Sequence, residues 1–174
     1  TFLYHYYELC RQNESRDTEA ASHTLETLEH FPITHPYLLL ERARYDRNLG
    51  QTEQASGAAH ELLKSMAQDI RVLVYSGEIF WDNDEKDAAA ECFGKVLQAY
   101  PGHYMANKYL ALYFYEKAEF EKAKDYCVEA LRISAHEEAL LDCMRSINQE
   151  LMKLYESRMK AGEASEDDMM ELGW

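Results

Sequence analysis

The residues of this chain that are best suited to chemistry are its histidines, cysteines and carboxylates, and their spacing fits none of the common catalytic or metal sites. His60 begins the segment HELLK, which lacks the second histidine of a zinc-binding helix. The segment DNDEKD at 82–87 lacks the glycine and closing glutamate of a calcium loop. The cysteines, which form no CxxC pair, are Cys10, Cys92, Cys127 and Cys143. These patterns predict neither catalysis nor a metal or other cofactor.

The composition favours an all-α protein with a protein partner. Hydrophobic residues make up 47% of the 174 residues, and there are only 7 glycines and 3 prolines to interrupt helices. The formal net charge of -14 argues against nucleic acid or an anionic membrane as the main partner. Since no apolar run approaches the roughly 20 residues that span a bilayer, we expect no transmembrane segment.

Related segments recur along the chain at a regular spacing of about 34 residues. The segments EQASGAAHELL at 53–63, DAAAECFGKVL at 87–97 and EKAKDYCVEAL at 121–131 share an initial acid, alanine in third place and leucine in last place. A fainter copy, EAASHTLETLE, lies at 19–29. Alanine at these positions suggests close approach of another helix backbone, because a lone amphipathic helix would gain more by burying leucine.

The upstream part of each unit contains a second set of small residues, Ala43, Gly77 and Ala111, which recur with the same spacing. Short polar or glycine-containing connectors separate the two parts, so each unit is predicted to be a helical hairpin. Here the sequence resembles the tetratricopeptide repeat (TPR) family, whose repeat unit has this same length. The residues that match its pattern best, in the middle repeat, are Leu73, Gly77, Phe80, Ala89, Phe93 and Pro101.

The resemblance implies an all-α, right-handed superhelical solenoid of antiparallel helix pairs. We expect repeats at about 2–35, 36–69, 70–103 and 104–135, followed by a capping helix at 136–160. Together these form a predicted repeat domain at 1–160, and an acidic and apolar tail follows at 161–174. The capping helix would cover the apolar face that the last repeat otherwise exposes.

In TPR arrays the first helix of each repeat (the A helix) lines a concave groove that binds peptides, so the resemblance predicts a groove here. It would interleave cations with aromatic rings and favour an acidic and apolar peptide. The alternative is that the aromatic rings pack between repeats and the arginines pair with neighbouring glutamates. The predicted groove residues are Tyr6, Tyr37, Leu40, Arg44, Arg47, Arg71, Val74, Trp81, Met105, Lys108, Leu112 and Tyr115.

One TPR subset holds C-terminal carboxylates with a clamp of lysines, asparagines and an arginine, and this sequence departs from it. The corresponding positions include Tyr6, Leu40, Arg44, Tyr75, Met105 and Tyr109, without the paired asparagines. This departure argues against carboxylate-clamp activity.

The expected function is a non-catalytic protein–protein interaction module that binds an extended or helical peptide, as a fragment of a larger scaffold or co-chaperone. The alternative is a regulatory or targeting domain of an enzyme whose catalytic part lies outside these residues. Because the chain starts at Thr1 without a methionine, we expect a truncated N-terminus, and cytoplasmic location is the default. The tail segment SEDDMMELGW at 165–174 could dock into the groove of the same or another copy and cause self-association.

Overall fold

The computed structural model describes residues 1–32, 35–162 and 170, and over these residues it contains helices and turns but no strand. The helices are α1 (Phe2–Ser15), α2 (Thr18–Glu29), α3 (Pro36–Asn48), α4 (Thr52–Ser65), α5 (Ile70–Asp82), α6 (Lys86–Ala99), α7 (Tyr104–Glu116), α8 (Phe120–Ile133) and α9 (Glu138–Ala161).

The helix starts reproduce the sequence repeat. The A helices α1, α3, α5 and α7 begin at Phe2, Pro36, Ile70 and Tyr104, and α9 begins one further repeat length along the chain, at Glu138. The second helices of the pairs (the B helices α2, α4, α6 and α8) begin with the same spacing. The predicted all-α fold of repeated helix pairs is therefore confirmed, and the long helix predicted after the last pair is α9.

The ends of the helices also follow the repeat. The side chains of His35, Asp69 and His103 each accept a hydrogen bond from a backbone N–H in the first turn of an A helix. Positive φ angles recur once per repeat, at the same point of each A-to-B turn, in Arg16, Gly50, Asp84 and Ala118. Each of these turns therefore reverses the chain through one left-handed residue.

The chain divides into two compact units, Thr1–Val96 and Leu97–Trp174. Fully buried side chains of the first unit include Leu9, Leu28, Leu40, Phe80 and Phe93. In the second unit α7, α8 and α9 share one hydrophobic cluster, formed by Ala111, Ala123, Cys127, Ala130, Leu140, Ile147, Leu151 and Tyr155. None of the described helices is long and apolar enough to cross a lipid bilayer.

The recurring alanines lie where helices pack together. Ala123 and Ala130 of α8 are both fully buried, and α8 contacts α7 and α9. We expect Ala123→Leu to destabilise the second unit by about 1 to 3 kcal/mol, because the larger side chain overpacks this contact. Urea denaturation measures the change. Val128→Leu is the control, since Val128 is exposed on the same helix and the change there should stay within about 0.5 kcal/mol. Equal stabilities for the two variants would contradict close packing at Ala123.

Candidate peptide-binding face

The A helices of the first unit form a continuous layer, because α1 packs against α3 and α3 packs against α5. A carboxylate lies inside this layer. Glu41 of α3 has no exposed surface, although glutamate is seldom fully buried unless it is paired. Its partners lie on its own helix, α3, and on the two neighbouring helices, α1 and α5.

Glu41 holds Arg44 and Asn13. The Nη1 group of Arg44 donates to both carboxylate oxygens of Glu41, at 3.0 and 2.8 Å. Asn13 of α1 donates from Nδ2 to the Glu41 side chain at 3.0 Å and to its backbone carbonyl at 2.8 Å. The guanidinium of Arg44 also lies 4.0 Å from the ring centroid of Tyr75. The arrangement fixes α1, α3 and α5 against one another.

Arg71 of α5 joins the same network from the solvent side. Its Nη2 lies 3.6 Å from Glu41 and donates to the hydroxyl of Tyr6 at 3.3 Å. Its guanidinium lies 4.8 Å from the ring centroid of Tyr37. Because 48% of the Arg71 side chain is exposed, it is the cation of this network that a ligand can reach.

Asp69 orients the ring of Tyr37, whose hydroxyl donates to its carboxylate at 2.5 Å. Burial acts to raise the pKa of Asp69, but this hydrogen bond and those from the backbone of Val72 and Arg71 outweigh burial and lower the pKa. Asp69 therefore keeps its charge at neutral pH and holds Tyr37 beside Arg71.

Arg47 forms a separate cluster toward the C-terminal end of α3. It donates to Glu78 at 2.5 Å and to Asp82 at 2.6 Å. Next to it lies a pocket of about 210 Å³, lined by Asn13, Glu14, Arg16, Arg44, Arg47, Asn48, Tyr75 and Glu78. The lining is strongly polar and contains both positive and negative groups.

Two titratable groups that are partly or fully buried in this layer, Tyr6 and Cys10, stay neutral at neutral pH. Burial raises the pKa of Tyr6 to about 12. Burial, reinforced by the negative charge of Glu41, raises the pKa of Cys10 to about 11. The Cys10 thiol is therefore protonated at neutral pH, which makes it a poor nucleophile. Among the described residues no group of three or more His, Cys, Asp or Glu side chains is placed to hold a metal ion.

The predicted groove residues differ in accessibility. Leu40 is fully buried, and Tyr6 and Arg44 are each only 8% exposed, so these three form the interior of the layer. Arg71 is exposed on its outer side. The half-buried members in the first unit are Tyr37, Arg47, Val74 and Trp81. The remaining four, on α7 of the second unit, are the half-buried Met105, Lys108, Leu112 and Tyr115.

Each predicted groove cation has an acidic neighbour within ion-pair distance. Lys108 of the second unit is paired with Glu137 at 2.5 Å, as Arg44, Arg47 and Arg71 are with acids in the first unit. Sequence reasoning identified these cations but missed Glu41. The available signal was the spacing of Glu41 and Arg44, which at three residues apart lie together on a helix surface.

The predicted tail interaction lies outside the described residues, apart from Met170, which is exposed. Self-association through the tail stays a prediction.

Comparison with known proteins finds likeness in structure only. No protein-family model matches the sequence, and no curated protein matches it. A mutant of MamA superposes with a TM-score of 0.69 at 14% identity, covering 99% of this chain and 94% of MamA. MamA from Desulfovibrio magneticus RS-1 gives a TM-score of 0.64 at 14% identity, covering 99% and 91%. The chain has a TPR-like fold. The structure of Naa15/Naa10 bound to HypK-THB gives 0.62 at 14% identity, over 90% of this chain and 25% of the matched chain.

Proposed function

We propose that the chain is a non-catalytic protein-interaction module that binds a peptide across the layer of α1, α3 and α5. The observation that carries this proposal is the network in which buried Glu41 fixes Arg44 and lies beside the exposed Arg71. Arginine and tyrosine are the residue types that dominate binding energy at protein interfaces. Because these side chains are already held by other groups, a ligand loses less entropy in ordering them.

The ion pairs bear on the chemistry of the proposed ligand. A ligand carboxylate would have to share cations that Glu41, Glu78 and Asp82 already neutralise. We therefore assign most of the affinity to contacts with Tyr37, Val74 and Trp81. An acidic group on the peptide would add specificity through Arg71, the most exposed of the cations.

A protein partner also agrees with one structural neighbour. Naa15 shares the fold over 90% of this chain, and its structure was solved with Naa10 and bound to HypK-THB. From this neighbour we extend to our chain only the general mode of binding, in which a helical repeat binds another polypeptide. The role of such a module would be that of a scaffold.

The test begins with a display library of short random peptides, selected on the purified chain. Isothermal titration calorimetry then measures the selected peptides against wild type and Arg71→Ala. We expect Arg71→Ala to weaken binding about fivefold or more, since truncating an arginine that acts as a hot spot costs over about 1 kcal/mol. Raising the salt concentration should weaken peptides that carry an acidic residue more than neutral ones.

Lys64→Ala provides the matched control, because Lys64 lies on the B helix α4 with 72% of its side chain exposed and forms only a local pair with Glu61. The affinity of the Lys64→Ala variant for the selected peptides should equal that of wild type. Failure to enrich any peptide, or equal binding by Arg71→Ala and wild type, would overturn the proposed binding face.

A further inference from the structure

Two of the four cysteines, Cys127 and Cys143, lie where α8 and α9 pack together in the second unit. Cys127 of α8 is fully buried, and its thiol lies 3.6 Å from the backbone carbonyl oxygen of Leu140. Cys143, one turn beyond Leu140 on α9, is half-buried. Both thiols belong to the cluster that packs α8 against α9. The two cysteines therefore lie on two packed helices, and Cys143 is the one that retains exposed surface.

We propose that Cys127 and Cys143 are an oxidisable thiol pair that forms a disulfide between α8 and α9. In the described part of the chain the side chains that pack around them are apolar, so no metal-ligand set surrounds the pair. A disulfide requires the two Cα atoms to lie within about 7 Å, and α8 and α9, which carry them, pack directly against each other. The inference is independent of the peptide-binding proposal, because its residues lie in the second unit.

The two thiols differ in acidity, and oxidation in two steps requires such a difference. The hydrogen bond from Cys127 lowers the pKa of Cys143, whereas the same bond and burial raise the pKa of Cys127. Cys143 therefore supplies the thiolate, and Cys127 keeps its proton until the second step. A lowered pKa, partial exposure and a second cysteine nearby are the features of oxidation-sensitive thiols.

With hydrogen peroxide as oxidant, the Cys143 thiolate attacks one peroxide oxygen, the O–O bond breaks, and hydroxide leaves. The product is a sulfenic acid on Cys143. The Cys127 sulfur then attacks the Cys143 sulfur, the S–O bond breaks, and the thiol proton of Cys127 leaves with the hydroxyl as water. In total two thiols are oxidised to one disulfide, and one peroxide is reduced to two waters.

The test uses the full chain, reduced and desalted, treated with hydrogen peroxide and then capped with N-ethylmaleimide. Trypsin separates the two cysteines into the adjacent peptides DYCVEALR at 125–132 and ISAHEEALLDCMR at 133–145. We expect mass spectrometry to find these peptides linked, and the link to disappear after reduction. Closing this short loop should also raise the Tm by roughly 5 to 10 °C, reversibly with a thiol reductant.

Cys92 and Cys10 serve as internal controls in the same digest. Burial raises the pKa of Cys92 to about 11, as it does for Cys10, so both should remain thiols under peroxide that links the pair. Cys143→Ser should fold, since the residue is half-buried, and should abolish both the link and the Tm increase. Oxidation of Cys143 to sulfinic acid without the linked peptides, or equal oxidation of all four cysteines, would overturn the proposal.

Discussion

Glu41→Gln is expected to destabilise the first unit by about 3 to 5 kcal/mol, which is the usual effect of removing one partner from a buried ion pair. Arg44 has only 8% of its surface exposed, so it would keep a buried positive charge without the carboxylate that compensates it. The glutamine NH₂ group would also face the Arg44 guanidinium or the Asn13 amide, each of which donates to Glu41 in the native protein. Urea denaturation monitored by circular dichroism measures the change.

The matched control is Glu91→Gln on α6. Glu91 pairs with Lys95 at 2.6 Å, but 69% of its side chain is exposed, and such pairs contribute only about 0.2 to 1 kcal/mol. The double variant Glu41→Leu with Arg44→Met should recover much of the lost stability, because an apolar pair leaves no buried charge. A Glu41→Gln protein within about 1 kcal/mol of wild type would show that Arg44 finds another partner.

The fold could be predicted because the helix packing that produces it repeats at a fixed interval along the sequence. Two helix backbones can approach closely only where side chains are small, so the repeat leaves small residues in the sequence at fixed intervals. Ala55, Ala89 and Ala123 are all fully buried, as are Ala43 and Ala111. A pattern that depends on local helix packing is visible in one sequence without knowledge of the tertiary structure.

Departures from the repeat pattern were harder to interpret. Asp46 stands where the other repeats place Phe80 and Phe114, and burial raises the pKa of its carboxyl group. Arg42 stands where the family pattern has leucine, yet it is exposed and pairs with Glu29 at 2.8 Å. In this repeat, two positions where the pattern has apolar residues thus lie at the edge of the core. Exposure of an edge position depends on its neighbours, which the sequence does not reveal.

The net charge of the predicted groove was the least predictable property. Projecting one face of each A helix counts four cations against one acid. That acid is Glu78, which pairs with Arg47, but the other compensating acids lie off the projection: Glu41 is inside the layer, Asp82 is at the end of α5, and Glu137 precedes α9. An ion pair between repeats depends on side-chain direction at two distant positions. Periodicity therefore located the cations, and of their partners only Glu41, three residues from Arg44 on the same helix, left a signal in the sequence.

Gly77 has no space for a Cβ atom, and Gly77→Val is expected to destabilise the first unit by about 3 kcal/mol, the upper end for overpacking. A Cβ atom there would lie 2.8 Å from Cζ and 2.9 Å from Cε1 of Phe93, where an ordinary contact is at least about 3.4 Å. Phe93 is fully buried in a close-packed interior, so its ring has little free volume to enter. The overpacking outweighs the few tenths of a kcal/mol that valine gains over glycine in a helix.

Gly57→Val separates the packing effect from helix propensity. Gly57 is also helical, but a Cβ there meets nothing within 4 Å. This control should therefore be neutral or slightly stabilising, by up to about 0.5 kcal/mol. If both variants unfold at the same urea concentration, Phe93 moves freely and the α5 backbone is not held against its ring. A second variant, Gly77→Val with Phe93→Leu, should recover part of the loss, because the shorter side chain vacates the space that the new methyl groups need.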